Sequence, residues 1–177
     1  MSTNWSEQCL TFGFQYYVAG RSAALVRLVP VSGNLLHHAV EMILKGVLSV
    51  HYSPEQLRVD GYSLPKLWDK FRQRHEMGQT SDHGKLITEL QAFEDIRYPD
   101  KIILNGASMS VGFGDTARTE RSDALGGVEP EYAVDVCKVD CLIATIFRRS
   151  SFKLDFFLAK LTLDARRILG EGNEWLK

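Results

Sequence analysis

The sequence predicts an all-α protein: an antiparallel up-and-down bundle of about five or six helices with one long glycine-rich loop. Apolar residues recur at three- and four-residue spacing over most of the 177 residues, which is the period of an amphipathic helix. Cap-type residues and prolines stand where these stretches begin and end. Hydrophobic residues make up 45% of the chain and charged residues 24%, so we expect residues 1–177 to form a single globular domain.

The first two predicted helices lie on either side of Pro30. One extends from Ser2 to Leu28 and ends before the proline, which cannot donate a backbone hydrogen bond. Ser32 is then the expected cap of a second helix that reaches about Val50.

Three shorter helical stretches follow. Ser53 precedes Pro54, a cap followed by the residue preferred at the first helical position, and this pair predicts a short helix. Ser63 is the expected cap of the next helix, and "DHGKLITELQAFEDI" is the third. The apolar positions of these last two helices are Leu64, Leu67, Trp68 and Phe71, then Leu86, Leu90 and Phe93.

Helical periodicity stops between about residues 99 and 130. Five glycines fall between Gly106 and Gly127, and loops of this length are usually functional or disordered. We therefore predict a long mobile loop, with a short strand at "KIIL" (101–104) as its one regular part.

The last two predicted helices extend from Glu129 to Arg149 and from Asp155 to Leu169. In the first, apolar residues alternate by four and three, as in a bundle seam. The seam residues are Tyr132, Val136, Val139, Ile143 and Ile146. The expected buried stripe of the second helix is Phe157, Leu161, Ala165 and Ile168.

Composition excludes several classes of protein. The net charge is -1, so bulk electrostatics do not favour nucleic acid or anionic membrane. Three cysteines without paired spacing argue against a disulfide framework. The N-terminal residues do not have the pattern of a signal peptide, and no apolar run is long enough to span a membrane. We expect a cytoplasmic protein with no membrane contact.

The second helix, "GNLLHHAVEMILKG", carries an unusual set of polar residues on a wide apolar face. His37, Glu41 and Lys45 are spaced by four, and His38 and Glu41 by three. In one interpretation they hold a phosphate or take part in acid–base chemistry. In the other, Glu41 and Lys45 form an ordinary i,i+4 pair on a solvated helix edge.

No motif for a metal or cofactor is complete. The helical period should point the rings of His37 and His38 about 100° apart, so one ion is difficult to share. Cys137 and Cys141 are four apart, but no histidine or cysteine nearby completes a zinc set. Gly-Phe-Gly at 112–114 does not have the P-loop context, and the serine-hydrolase elbow is missing. We predict no metal and no cofactor.

Three segments in order, "GNLLHHAVEMILKGVL", "GYSLPKLWDKF" and "IRYPD", make the chain resemble the HEPN family (higher eukaryotes and prokaryotes nucleotide-binding). The resemblance covers about residues 12–170. The matching positions are Ala39, Glu41, Leu44 and Lys45, the turn Gly61-Tyr62-Ser63-Leu64, and Arg97-Tyr98-Pro99.

The resemblance implies an antiparallel helical bundle that is often dimeric. Many family members work beside a small nucleotidyltransferase, and many others are metal-independent ribonucleases with an Arg-x4-6-His pair. The histidines are at positions 37, 38, 51, 75 and 83, and none has an arginine five to seven places before it. The family's histidine in the short turn is replaced by Tyr62.

We therefore predict a HEPN-like, dimeric, non-catalytic module that binds a nucleotide, an RNA or a protein such as a nucleotidyltransferase. The predicted ligand-binding residues are His38, Glu41, Lys45, Arg97 and Tyr98. Arginine and lysine would engage phosphate, and Tyr98 would stack on or orient the ligand. Two alternatives stay open: a nonstandard ribonuclease that uses His37 or His38 with Arg97, and a purely structural partner protein.

Overall fold

The computed structural model describes residues 2–61, 63–77, 83–94, 96, 108–114 and 132–176. Within them the chain is mostly helical, as predicted, with eight α-helices and a short 3-10 helix at Glu174–Leu176. The α-helices are α1 (Ser2–Leu25), α2 (Val29–Leu48), α3 (Pro54–Val59), α4 (Leu64–Arg74), α5 (His83–Ala92), α6 (Val136–Arg149), α7 (Leu154–Ala159) and α8 (Leu163–Gly170).

The prediction of a strictly all-α fold is wrong. Two short strands, β1 (Met109–Gly112) and β2 (Tyr132–Asp135), form a parallel pair with Met109 opposite Tyr132. The predicted helix from Glu129 therefore begins later, at Val136. The Asp135 carboxylate accepts a hydrogen bond from the backbone N–H of Cys137 and caps α6 there. A four-residue strand is too short for its two-residue period to stand out beside a helical seam.

The predicted long loop is only partly within the described residues. Residues 108–114 of it form β1 and the turn that follows. Residues 99–107, with the predicted strand "KIIL", and residues 115–130 lie outside the described residues, so the predicted mobility of the loop stays a prediction.

Pro30 lies in the first turn of the second helix and does not mark the end of the first. α1 stops at Leu25, and Pro30 occupies the first turn of α2, where its missing N–H would have no helical partner in any case. Ser32 is therefore inside the helix and is not its cap. Its hydroxyl donates to the carbonyl of Gly20 at 2.9 Å, which ties α2 to α1.

α1 and α2 form an antiparallel αα-hairpin at close range. A Cβ atom added to Gly13 would lie 2.7 Å from Ile43 Cγ1, and one added to Gly46 would lie 2.6 Å from Leu10 Cγ. In these contacting pairs the residue number rises along α1 while it falls along α2, so the two helices are antiparallel. Glycine at these positions lets the two backbones approach until large side chains fill the space between them.

The short helices begin close to where their cap residues predict. Ser53 and Gln56 form a complete capping box at α3. Ser63 stands at the N-cap of α4 but makes no cap hydrogen bond. The N–H of Leu64 donates instead to Gln91 Oε1 of α5, at 2.7 Å.

The predicted last helix is two helices. Thr162 accepts a hydrogen bond from the N–H of Ala165 and starts α8 after a break from α7. Of the predicted stripe only Phe157 is buried, and Leu169 takes the buried position in α8. The predicted apolar faces of α4 and α5 and the seam of α6 do lie in the core, which is continuous across the described helices. Among the described residues no helix is both long and apolar enough to cross a bilayer.

Candidate functional site

Three of the predicted ligand-binding residues form a cluster on α2, the Glu41 cluster (His38, Glu41 and Lys45). Lys45 Nζ donates to Glu41 Oε1 at 2.6 Å. His38 Nδ1 lies 3.2 Å from Glu41 Oε2. Helical spacing alone brings the three together, since residues three and four apart share one side of a helix.

Burial separates this cluster from an ordinary surface ion pair. Glu41 is 2% exposed, while the side chains of Lys45 and His38 are 13% and 20% exposed. Burial alone would raise the pKa of Glu41, but the hydrogen bonds from His38 and Lys45 outweigh it and hold that pKa below its ordinary value. Glu41 is therefore a buried carboxylate that needs both neighbours for its charge.

His37 and His38 differ from the expected divergent geometry. Their rings are stacked, with centroids 5.3 Å apart and planes 19° apart, because the two side chains turn towards each other. His37 is fully buried, and its Nδ1 lies 3.2 Å from Oε2 of Glu94, two residues after the end of α5. His38 also contacts the ring of Tyr16 on α1, at 5.5 Å between centroids. His38 is hydrogen-bonded to Glu41, and His37 also helps to lower the pKa of Glu41 electrostatically.

Arg97 and Tyr98, the other two predicted ligand-binding residues, lie outside the described residues, as does Tyr62 of the short turn. A role for them beside the Glu41 cluster stays a prediction.

A second charged cluster, the Arg21 cluster (Tyr17, Arg21, Asp140 and Asn173), was not among the predicted sites. Arg21 and Asp140 form an ion pair with exposures of 0% and 1%. The hydroxyl of Tyr17 donates to the other carboxylate oxygen of Asp140. Asn173 Nδ2 in turn donates to that hydroxyl oxygen at 2.9 Å. Each charged group of the cluster is thus paired with an opposite charge or accepts or donates a hydrogen bond.

The Arg21 cluster connects distant parts of the chain. Arg21 Nε donates to the carbonyl of Ile168 at 3.2 Å, and its Nη2 donates to that of Glu171. The guanidinium also lies 5.2 Å from the ring centroid of Phe113, just after β1. One side chain of α1 therefore holds α6, the end of α8 and the segment after β1 in place.

The titration of the Arg21 cluster agrees with a structural role. Burial raises the pKa of Tyr17 well above its ordinary value, and the Asp140 carboxylate raises it further. Burial also raises the pKa of Asp140, although Arg21 and Tyr17 act in the opposite direction. The phenol stays protonated and acts as a donor, and no atom of the ion pair reaches solvent.

Two of the three cysteines, Cys9 and Cys137, lie where the thiolate is disfavoured. All three are free. Burial raises the pKa of the Cys9 thiol to about 11, and Lys45 offsets this only in part. Burial and Asp135 raise the pKa of Cys137. Thiols that stay protonated are poor nucleophiles and poor metal ligands. In the described parts of the chain, no group of three or more His, Cys, Asp or Glu side chains could hold a metal ion.

Comparison with protein-family models, with curated proteins and with solved structures gave no match to this chain. The HEPN resemblance therefore stays a prediction from three sequence segments, and the function is argued from the geometry alone.

Proposed function

We propose that this chain is a HEPN-like, non-catalytic binding module that works as a homodimer through the outer side of the α1–α2 hairpin. The observation that carries the proposal is an apolar, solvent-facing surface on that side, the hairpin face. Its residues are Phe12 and Tyr16 of α1, and Val31, Leu35, His38 and Met42 of α2.

The spacing on α2 is that of a helix-pairing seam. Val31, Leu35, His38, Met42 and Lys45 follow one another at intervals of four, three, four and three, and every one of them is partly or fully exposed. A straight stripe at an average interval of 3.5 residues is what a helix presents to a neighbouring helix.

α1 extends the stripe into a broader surface. Phe12 is 49% exposed and Tyr16 is 38% exposed, one helical turn apart, and the contact between Tyr16 and His38 makes the two helices one surface. Isolated exposed apolar residues are ordinary, but large side chains adjacent on two packed helices are typical of an interface.

The charges of the hairpin face allow two copies to meet. Lys45, which follows Met42 on the same stripe of α2, is paired with Glu41, so a two-fold contact places no unpaired lysine of this stripe opposite its copy. A C2 interface needs such a self-complementary surface. In this proposal the Glu41 cluster holds His38 within the interface and does not bind phosphate itself. A nucleotidyltransferase would be an alternative protein partner for the same face.

The test is the oligomeric state of two matched variants. Phe12→Glu places a charge within the hairpin face, and Val59→Glu places one on α3 at a residue that is 83% exposed. We expect wild type and Val59→Glu to sediment as dimers at micromolar concentration and Phe12→Glu to sediment as a monomer with unchanged circular dichroism.

A wild-type chain that stays monomeric at these concentrations contradicts the homodimer. A Phe12→Glu variant that still dimerises contradicts the assignment of the dimer to the hairpin face.

A ribonuclease that uses His37 or His38 with Arg97 is the second candidate. The contact between His38 and Glu41 favours it, because a carboxylate that orients an imidazole is a common arrangement around a general base. His37 is fully buried and cannot reach an RNA without a rearrangement. RNA cleavage that disappears in His38→Ala would replace the non-catalytic proposal with this one.

A further inference from the structure

A cavity lies where the start of α1, the end of α2 and the segment that leads into α7 meet. Its volume is about 640 Å³, which is within the range of small-molecule sites. Its apolar wall consists of Val50, Phe152, Phe156 and Phe157, and we call it the phenylalanine cavity. The Glu41 cluster, the Arg21 cluster and the hairpin face contribute no side chain to this wall. The sites described above therefore leave the cavity unused.

The apolar wall has a buried floor and an exposed rim. Phe157 is 4% exposed and stacks on Phe14 of α1, with 5.6 Å between ring centroids. The ring of Phe156 is perpendicular to that of Phe157 at 5.2 Å, and Phe156 is 52% exposed. Val50, which follows α2, is 56% exposed. Two apolar side chains from separate segments thus face solvent around one cavity, and an apolar ligand would cover both.

A second cavity adjoins the first. It has a volume of about 430 Å³ and shares Ser49 and Val50 with the phenylalanine cavity. Its wall adds the aromatic rings of Trp5 and Tyr52. His51 is also in this wall, and burial holds its pKa below the ordinary value of 6.5, so the imidazole is neutral at pH 8. The two cavities together offer mainly apolar room for a ligand that is longer than either.

Several polar groups in the wall of the phenylalanine cavity already have partners within the protein. The hydroxyls of Ser6 and Ser49 both donate to the carbonyl of Gly46, at 2.7 Å. The carboxylate of Glu7 accepts a hydrogen bond from the ammonium group of Lys160, just after α7. These groups therefore offer a ligand neither a free hydroxyl hydrogen nor an unpaired charge.

Lys153 is the charged residue of the wall that differs. In the part of the chain that the structure describes, its ammonium group makes no ion pair and no hydrogen bond. It stands at the N-cap of α7 without a cap hydrogen bond, and lysine is not among the residues that helices prefer there. Neither a partner nor a capping role accounts for this lysine. An anionic group beside the cavity would give its charge a partner.

From this arrangement we propose that the phenylalanine cavity binds a long-chain aliphatic carboxylate. The carboxylate lies at Lys153, and the hydrocarbon chain lies on the phenylalanines and extends past Val50 towards Trp5. An apolar wall favours a hydrocarbon body, and a single unpaired lysine favours a head group with a single negative charge. An amphiphile with an ammonium head group finds no such partner, because Glu7 is paired already. The proposal does not rest on the homodimer, because none of its residues belongs to the hairpin face.

The experiment is isothermal titration calorimetry of the full chain at pH 8 with octanoate, decanoate and dodecanoate, each below its micelle concentration. Each added CH₂ group that becomes buried should raise the affinity about fourfold. Decan-1-ol and decyltrimethylammonium are head-group controls of equal chain length. We expect decanoate to bind about tenfold more tightly than decyltrimethylammonium, because Lys153 attracts the first head group and repels the second.

Variants separate the head-group contact from the contacts of the chain. Lys153→Gln should weaken decanoate binding about fivefold, the upper range for an exposed charge pair, and leave decan-1-ol unchanged. Lys153→Arg should keep the affinity for decanoate. Phe156→Ala should weaken decanoate and decan-1-ol alike. Lys138→Gln is the matched control: Lys138 is also exposed, and it is about 16 Å along α6 from Arg149, where that helix ends before the cavity.

Each outcome decides the proposal. Loss of decanoate affinity in Lys153→Gln with none in Lys138→Gln supports it, provided that both variants unfold at the wild-type temperature. Equal affinity for decanoate and decyltrimethylammonium would mean nonspecific binding of detergents and would overturn it. So would an affinity that does not rise with chain length, or the absence of binding by folded wild-type protein. Failure of the homodimer would appear in sedimentation and not in these titrations.

Discussion

The Glu41 cluster and the Arg21 cluster are both buried ion networks, yet they differ in how far apart in sequence their members lie. Every contact of the Glu41 carboxylate in its cluster is with a residue three or four positions away on the same helix. The side-chain hydrogen bonds of Arg21 and Tyr17 span 119 to 156 residues of sequence. The first cluster joins side chains of α2 alone, whereas the second fixes the tertiary arrangement of α1, α6 and the chain after α8.

Exposure separates them further. Lys45 and His38 reach the surface, so either can turn to solvent if Glu41 is removed. Arg21 and Asp140 cannot, because both are buried completely. A buried charge that loses its partner is far more costly than one that can be rehydrated. The two clusters should therefore respond very differently to the same kind of substitution.

The largest expected effect is that of Asp140→Ala. It leaves the Arg21 guanidinium buried without its counter-charge, which should lower the free energy of unfolding by about 3–5 kcal/mol. Urea unfolding followed by circular dichroism measures this loss. The double variant Arg21→Met with Asp140→Leu should lose much less than the two single losses combined. A loss below about 1 kcal/mol in Asp140→Ala would contradict the role assigned to the pair.

Tyr17→Phe should have an intermediate effect. It removes the phenol donor from Asp140 Oδ1 and an acceptor from Asn173 Nδ2, and about 1.5–3 kcal/mol is the usual worth of a hydrogen bond to a charged group. The variant keeps the ring in the core, so packing stays the same. Tyr16→Phe, at the half-exposed neighbour, is the matched control and should change the urea midpoint little.

The smallest expected effect belongs to the Glu41 cluster and depends on pH. Glu41→Gln should cost about 1 kcal/mol at pH 7, since Lys45 and His38 can hydrate. The native pKa of Glu41 is below its ordinary value of 4.5, so unfolding in acid takes up a proton. The stabilisation by Glu41 is complete well above pH 4.5 and declines as the pH falls through the native pKa. The urea midpoints of wild type and Glu41→Gln should therefore approach each other as the pH is lowered from 7 to 3. A difference between the two urea midpoints that grows as the pH falls would contradict the lowered pKa of Glu41.

The same difference in sequence separation explains why the contacts of Glu41 could be predicted from the sequence and the pair of Arg21 with Asp140 could not. Helical spacing fixes the contacts of Glu41 with Lys45 and His38, and these could be predicted. No spacing rule relates Arg21 to Asp140. A signal existed: Arg21 continues the apolar stripe of Phe14 and Tyr17, and Asp140 follows Val139 in the α6 seam. Opposite charges on two buried faces predict that they pair.

Other parts of the fold had weaker signals. The strands of the β1–β2 pair have four residues each, too few for a pattern of period two to compete with a helical one. Pro30 was ambiguous, because proline either ends a helix or occupies its first turn.

The proposed function depends on the pairing of two copies of this chain through the hairpin face. Sedimentation equilibrium of the wild-type protein over a range of micromolar concentrations tests it most directly. A homodimer should give a mass approaching twice the 20.0 kDa of one chain as concentration rises, and Phe12→Glu should give the mass of one chain. A wild-type mass that stays at 20.0 kDa throughout would contradict it.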